Sequence, residues 1–215
     1  MPNGCSPAAA PLVARPTLTS EFQATLRRLK PEKRRARLKP RAESDLEFIE
    51  STSSKPRKLL YDTTVYIDTL QNRFPQSGDL MLRAAEAWHS PVTDAELAAA
   101  IGLLDPAHSE TREIVEQIAA VIERRPSYRT IVPDTEIWRE AGILSGILAR
   151  LQGYGKDHRR RALNDALLFA TARKYGCVVL TRNVVDFDLL EQLDPAGSVL
   201  FYKQQRLGSP NLKIP

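Results

Sequence analysis

The chain has 215 residues, 42% of them apolar, with a formal charge of +5 at pH 7. That length suits one ordinary domain plus an appendage, and the apolar share excludes global disorder. The two cysteines, Cys5 near the N-terminus and Cys177 at the head of an apolar strand, exclude a disulfide framework and a thiolate zinc site.

No run approaches the length of a membrane span, and the first dozen residues lack a basic region followed by an apolar stretch. A cytoplasmic protein without membrane attachment is therefore expected. Charge is unevenly spread: residues 1–58 carry 13 Lys/Arg against 6 Asp/Glu, whereas residues 59–215 carry 18 against 20. From Arg27 to Arg41 there are nine basic residues and one acid, Glu32. Such a block suits a polyanion, of which nucleic acid is the commonest, or else a solvated tail. Its candidate contacts are Arg27, Arg28, Lys33, Arg34, Arg35 and Arg37.

In chain order, Phe22, Leu26 and Leu29 recur at helical spacing after Thr19-Ser20, predicting a helix too short and too charged to form a core alone. Seven of the 15 prolines precede residue 58, beside the run Ser51-Thr52-Ser53-Ser54. This linker chemistry divides the chain into a basic, poorly ordered extension, 1–57, and a domain, 58–215. The domain opens with a buried strand over Leu59–Tyr61. Helical segments follow over 64–70, 80–88, 94–104 and 109–124, then a short strand, Thr130-Ile131-Val132. A helix starting at Asp134 carries the stripe Ile137, Trp138, Ala141, Leu144, Ile147, Leu148 and Leu151, and Gly153 and Gly155 end it. The next runs from Arg161 to Tyr175, with Gly176 as its left-handed cap. A strand over Val178–Thr181, a short helix through Leu189 and a strand around Val199–Phe201 complete the chain. Strands separated by helices imply an α/β fold with a mostly parallel sheet covered on both faces. Trp88 and Trp138 read as core, and His89, His108 and His158 as surface residues.

Four acids stand where this pattern changes. Asp62 follows the first strand, Asp186 lies just past the strand ending at Thr181, and Asp165 and Glu96 lie on helical segments. In a parallel sheet the ligand crevice lies beyond the carboxyl ends of the strands, so these carboxylates converge on one edge. A carboxylate cluster without matching bases suits a hard cation such as Mg²⁺ or Mn²⁺. Each acid also has a structural explanation. Asp62 is a good helix N-cap, Thr93 and Glu96 have capping-box spacing, and Asp186 can belong to an ordinary turn. Asp165 is different, because a charge among apolar neighbours on a packed helix calls for a cation or a basic partner. Thr181 and Asn183 supply short polar groups at a strand end that can orient a carboxylate or a water. Asp188 lies near the same region. The basic group Lys156–Arg161 precedes Asp165, and its Lys156, Arg159, Arg160 and Arg161 suit RNA phosphates or a solvated helix start. A phosphotransferase of the haloacid-dehalogenase type is excluded, since Thr64 stands where its second Asp would be.

Taken together, four segments resemble the PIN-domain ribonucleases, specifically the VapC-type toxins of toxin–antitoxin pairs. They are Asp62-Thr63-Thr64 after an apolar strand, Val92-Thr93 with Glu96-Leu97, Asn164-Asp165-Ala166, and Thr181-Arg182-Asn183 with Asp186-Phe187. The resemblance covers residues 58 to 202. It implies a PIN-like fold and metal-dependent hydrolysis of single-stranded RNA, with Asp62, Glu96, Asp165 and Asp186 as the acidic site and Thr64 and Thr181 as hydroxyl helpers. On this assignment Asp62, Asp165 and Asp186 hold Mg²⁺ or Mn²⁺, and Glu96 orients or deprotonates the attacking water. RNA is the implied substrate, and an antitoxin and a second copy of the chain are the candidate protein partners. A long stretch from Leu104 to Pro133 and the basic extension lie outside the family pattern. A non-catalytic RNA-binding or regulatory module on the same scaffold is the alternative class, and a DNA or RNA-processing nuclease the nearer one.

Overall fold

The computed structural model describes residues 18–51 and 57–205. The linker residues Thr52, Ser53 and Ser54 and the first 17 residues lie outside that range. Four parallel strands form the sheet: β1 (Lys58–Tyr61), β2 (Glu86–Trp88), β3 (Val178–Thr181) and β4 (Val199–Phe201), in the order β2-β1-β3-β4. From β1 the chain first builds outward to β2, then returns to the other side of β1 to lay down β3 and β4. The order therefore reverses between β1 and β3, and the crevice of such a sheet opens there, at the carboxyl ends.

The strands are apolar on both faces because both are covered. Leu60, Val179, Val199 and Phe201 face one layer, made of α6 (Thr135–Gln152), α7 (Lys156–Tyr175) and α8 (Val184–Leu193). Leu59, Tyr61, Leu180, Leu200 and Tyr202 face the other, built on α2 (Thr63–Leu70), α4 (Pro91–Leu103) and α5 (Thr111–Glu123). Neighbouring residues thus alternate between two cores, as the two-residue period of a strand requires.

The extension differs from the poorly ordered tail expected of its composition, over residues 18–51. Ser20–Leu29 is a helix, α1, capped by the Thr19 hydroxyl and ended by Lys30 in the left-handed region. Leu29 is 1% exposed and joins Leu46 and Phe48 in the core against α6, α7 and α8. Phe48 forms a parallel bridge with Phe201, and the Phe201 amide donates to the Glu47 carbonyl at 2.8 Å, which covers the outer edge of β4. Helical spacing alone could not show this, because the partner surface is supplied by helices more than 100 residues away.

Smaller differences share that cause. The segment read as helical over 80–88 splits into α3 (Gln76–Ala84) and β2, because Glu86, Ala87 and Trp88 pair with the open edge of β1. Thr130 makes one bridge, to His89, rather than a strand with its neighbours. The helix expected from Arg161 begins at Lys156, capped by Gly155 and with Asp157 in its first turn, so the basic group is helical. Trp138 is 50% exposed, since the buried face of α6 runs through Ile137, Ala141, Leu144 and Leu148 and turns position 138 outward. His89 is buried, not on the surface, with its Nδ1 2.6 Å from the Tyr66 hydroxyl. No helix among the described residues is long and apolar enough to cross a membrane.

Candidate active site

Asp62 leaves the end of β1 and caps α2, its Oδ1 accepting the Thr63 amide at 2.8 Å. Its Oδ2 accepts two hydroxyls, Thr64 Oγ1 at 2.6 Å and Thr181 Oγ1 at 2.7 Å from the neighbouring strand end. The capping role and the cleft position are therefore held together, one oxygen serving the helix and the other tied across β1 and β3.

Glu96 is not half of a capping box. Ser90 caps α4, with Pro91 in the first turn, and the Thr93 hydroxyl donates to the Tyr61 carbonyl instead. Freed from the helix end, the Glu96 carboxylate reaches Thr63 Oγ1 with one oxygen and accepts Asn164 Nδ2 at 2.8 Å with the other. Asp186 sits in the first turn of α8, where it accepts the Tyr154 hydroxyl at 3.1 Å and Asn183 Nδ2 at 3.0 Å. Asp165 projects from α7 and accepts Asn183 Nδ2 at 3.3 Å. The four acids line one cleft of about 540 Å³ with Thr63, Thr64, Asn183, Arg161 and Arg182.

The hydrogen-bond donors that hold these acids are neutral, and among the described residues no ion pair reaches any of the four. Burial raises the Asp62 pKa, opposed by the Thr64 and Thr181 hydroxyls. It also raises that of Glu96, against Thr63 and Asn164 and reinforced by the Asp62 charge. Asp165 is pushed well above the usual carboxylate range by burial, then by the charges of Asp62, Asp186 and Glu96, with Arg161 in partial opposition. Tyr154 is pushed up to about 12, first by burial and then by Asp186, so its hydroxyl stays protonated and donates. Two carboxylates ~4 Å apart repel by about 4 kcal/mol at an effective dielectric of ~20. The amino-terminal ends of α2 and α8, which carry Asp62 and Asp186, offset part of such a cost.

Among the described residues no group of three His, Cys, Asp or Glu side chains stands ready to hold a metal ion. The donor chemistry nevertheless fits a hard cation. It is all oxygen, it carries excess negative charge, and one Asp165 oxygen accepts no hydrogen bond among the described residues. Thr63, Asn164, Tyr154 and Arg182 were not singled out as site residues from the sequence. Asn164 adjoins Asp165, but Tyr154 lies in a glycine-flanked turn whose approach to Asp186 no local pattern encodes. Asp188 belongs elsewhere, fully buried against Arg41.

Fold and site together define a parallel α/β domain with an acidic cleft at its topological switch. The PIN-domain family model matches residues 59–189, a span holding all four acids, and the chain belongs to the PIN-domain family. Several solved structures are similar at low identity. A chain of FitAcB from Neisseria gonorrhoeae is 19% identical, over 66% of this chain and 96% of that one, with a TM-score of 0.47. VapBC2 from Rickettsia felis, bound to a DNA fragment from its promoter, gives 15% identity, 67% and 98% coverage and a TM-score of 0.46. VapBC-5 from Mycobacterium tuberculosis, a member of the VapBC family of toxin–antitoxin systems, gives 22%, 69% and 100%, and 0.43. Comparison with curated proteins gives no match.

Proposed function

We propose that the chain is a metal-dependent endoribonuclease that hydrolyses phosphodiester bonds of single-stranded RNA, acting in the cytoplasm as the toxin of a toxin–antitoxin pair. PIN domains are generally nucleases, and one observation supports the same chemistry here. Four carboxylates gather at the β1/β3 switch, held by neutral donors and, among the described residues, paired with no base. A cognate antitoxin and a second copy of the chain are the protein partners this reading allows.

Asp62, Asp165 and Asp186 would hold Mg²⁺ or Mn²⁺. Such an ion, when bound, offsets the charge of the phosphodiester and eases deprotonation of water. The protein's own groups do the positioning. Thr64 and Thr181 fix Asp62, while Tyr154 and Asn183 fix Asp186, in the way outer hydrogen bonds orient ligating carboxylates. Thr63 and Asn164 hold Glu96 so that it orients the attacking water and takes its proton. The water oxygen bonds to phosphorus and the bond to the 3′ oxygen breaks, leaving a 5′-phosphate and, after protonation by solvent, a 3′-hydroxyl.

The test is cleavage of a mixed RNA pool by the purified protein in Mg²⁺ and in EDTA. The parent should cleave only with the metal, and Asp165→Asn should lower the rate at least ~100-fold, or about 2.7 kcal/mol of barrier. Activity of Asp165→Asn within about threefold of the parent removes Asp165 from the site.

A further inference from the structure

The basic segment before the domain has two kinds of cation. Arg34 donates to the Leu193 carbonyl at 2.8 Å and to the Leu29 carbonyl at 3.3 Å. Arg41 is paired with Asp188 and Glu191, and its amide donates to Asp188 at 2.8 Å. Arg28 pairs with Glu140 at 2.6 Å. These are anchors, and the body returns bonds of its own. Arg150 donates to the carbonyls of Pro31 and Arg34, Gln152 to that of Leu38 and Gln192 to that of Lys39. Leu38 packs against the core. Residues 31–41 are thereby strapped over α6 and α8.

The other kind faces solvent. Lys33, Arg35, Arg37 and Lys39 are all exposed, on alternate positions of the same strap. Arg37 Nε also donates to Gln152 Oε1 at 3.1 Å, leaving its charge without an acid among the described residues. Two residues of chain span at most about 7 Å, so these charges form a closely spaced row. The row leads somewhere specific. Arg37, Leu38, Lys39 and Pro40 line a groove of about 470 Å³ whose other wall includes Tyr154 and Val185. Val185, 51% exposed, also lines the acidic cleft, and Tyr154 bonds Asp186 inside it. Groove and cleft are thus continuous over Val185, with Arg161 on the cleft's own rim.

We propose that this strap is a fixed rail for the phosphates of a single RNA strand, with Arg35, Arg37 and Lys39 as the contacts that lead it over Val185 and Tyr154 into the acidic cleft. The inference rests on the ribonuclease reading and adds the path of the substrate. A polyanion is the occupant that charge favours, because the row's cations are not spent on buried acids as Arg28 and Arg41 are. A fixed row also loses less conformational freedom on binding than a tail of the same composition. The exposed aliphatic face of Val185 and the ring of Tyr154 between rail and cleft suit unstacked bases better than a duplex.

The test is binding of a short single-stranded RNA in EDTA, where cleavage is off, as a function of salt. Parent protein is compared with Arg35→Ala/Arg37→Ala/Lys39→Ala and with Arg112→Ala/Arg124→Ala/Arg139→Ala, which removes three exposed cations elsewhere. Three lost phosphate contacts should flatten the log–log salt slope by about 2 units and weaken low-salt binding at least ~10-fold. The control should match the parent. An unchanged slope in the strap variant overturns the rail, even if the parent cleaves RNA. If the strap variant instead loses binding of an acidic peptide while its RNA slope stays put, the rail is overturned in favour of a protein partner. A flattened slope in a parent that cleaves no RNA upholds the rail and sinks the ribonuclease reading alone.

Discussion

Two sets of carboxylates lie within this fold, one buried in its cores and one lining the cleft, where Asp62 is buried and Glu96, Asp165 and Asp186 are half-buried, and they are treated in opposite ways. Glu140, 1% exposed, takes a two-pronged contact from Arg173 at 2.9 and 2.6 Å and a third from Arg28 at 2.6 Å. Asp194 lies 3.4 Å from the same two arginines, Asp188 is held by Arg41, and Asp68 by Arg182 with the Tyr202 hydroxyl and Gln204. Each of these buried negative charges is matched. At the β1/β3 switch, Asp62, Glu96, Asp165 and Asp186 receive hydroxyls, amides and backbone N–H groups and, among the described residues, no arginine partner. The protein has arginines within reach, Arg161 and Arg182 lining the cleft, and does not pair them with these four acids. On the proposed reading, the charge left unmatched beside charge carefully matched marks a site for a cation from outside. The same comparison reassigns part of the basic extension, whose Arg28 and Arg41 serve the fold.

Breaking a matched pair should have the largest effect. Arg41→Ala leaves Asp188, with no exposed surface, facing only an amide and Gln192, and should cost about 3 kcal/mol in urea unfolding. A loss under about 1 kcal/mol would mean that Arg41 is a surface charge like any other. Acidification probes the counterpart of opposite sign. His89 is buried beside Arg125 and Arg129, and its pKa is lowered to about 4, first by burial and then by those cations. A folded pKa below the unfolded value of about 6.5 means that its contribution is full above that pH. It is lost as pH falls toward 4, at most about 3.4 kcal/mol and on the order of 2 kcal/mol after solvent screening. His89→Gln should flatten the stability profile between pH 6.5 and 4, and an unchanged slope would assign acid sensitivity elsewhere.

Much of this was legible in the sequence because it rests on local rules. A strand that alternates between two cores reads as a continuous apolar run, and a residue just past such a run must emerge at the carboxyl edge. Asp62 and Asp186 follow from that alone. What stayed hidden depends on surfaces far away in the chain. Thr93 and Glu96 have capping-box spacing, yet Ser90 takes the cap and releases Glu96 toward Thr63 and Asn164. The basic extension looked like a tail because nothing local states that Glu140, Asp188 and Asp194 need its arginines. His89 and Trp138 exchanged places for the same reason, one covered by Tyr66 and Arg125 and the other turned out of the α6 stripe. Tyr154 reaches Asp186 through a turn that only the packing of α6 on α7 sets.

The central claim is that the unmatched carboxylates are a cation site, and thermal unfolding with and without Mn²⁺ or Mg²⁺ tests it without reference to any substrate. A metal that binds only the native protein, at a hundredfold excess over Kd, stabilises it by about 2.7 kcal/mol. In a domain of this size that raises Tm by roughly 5–10 °C. The parent should show this rise, and Asp62→Ala/Asp186→Ala should show none, while melting in EDTA at or above the parent because repulsion has been relieved. An equal metal response in parent and double variant would contradict the account and place the cation elsewhere.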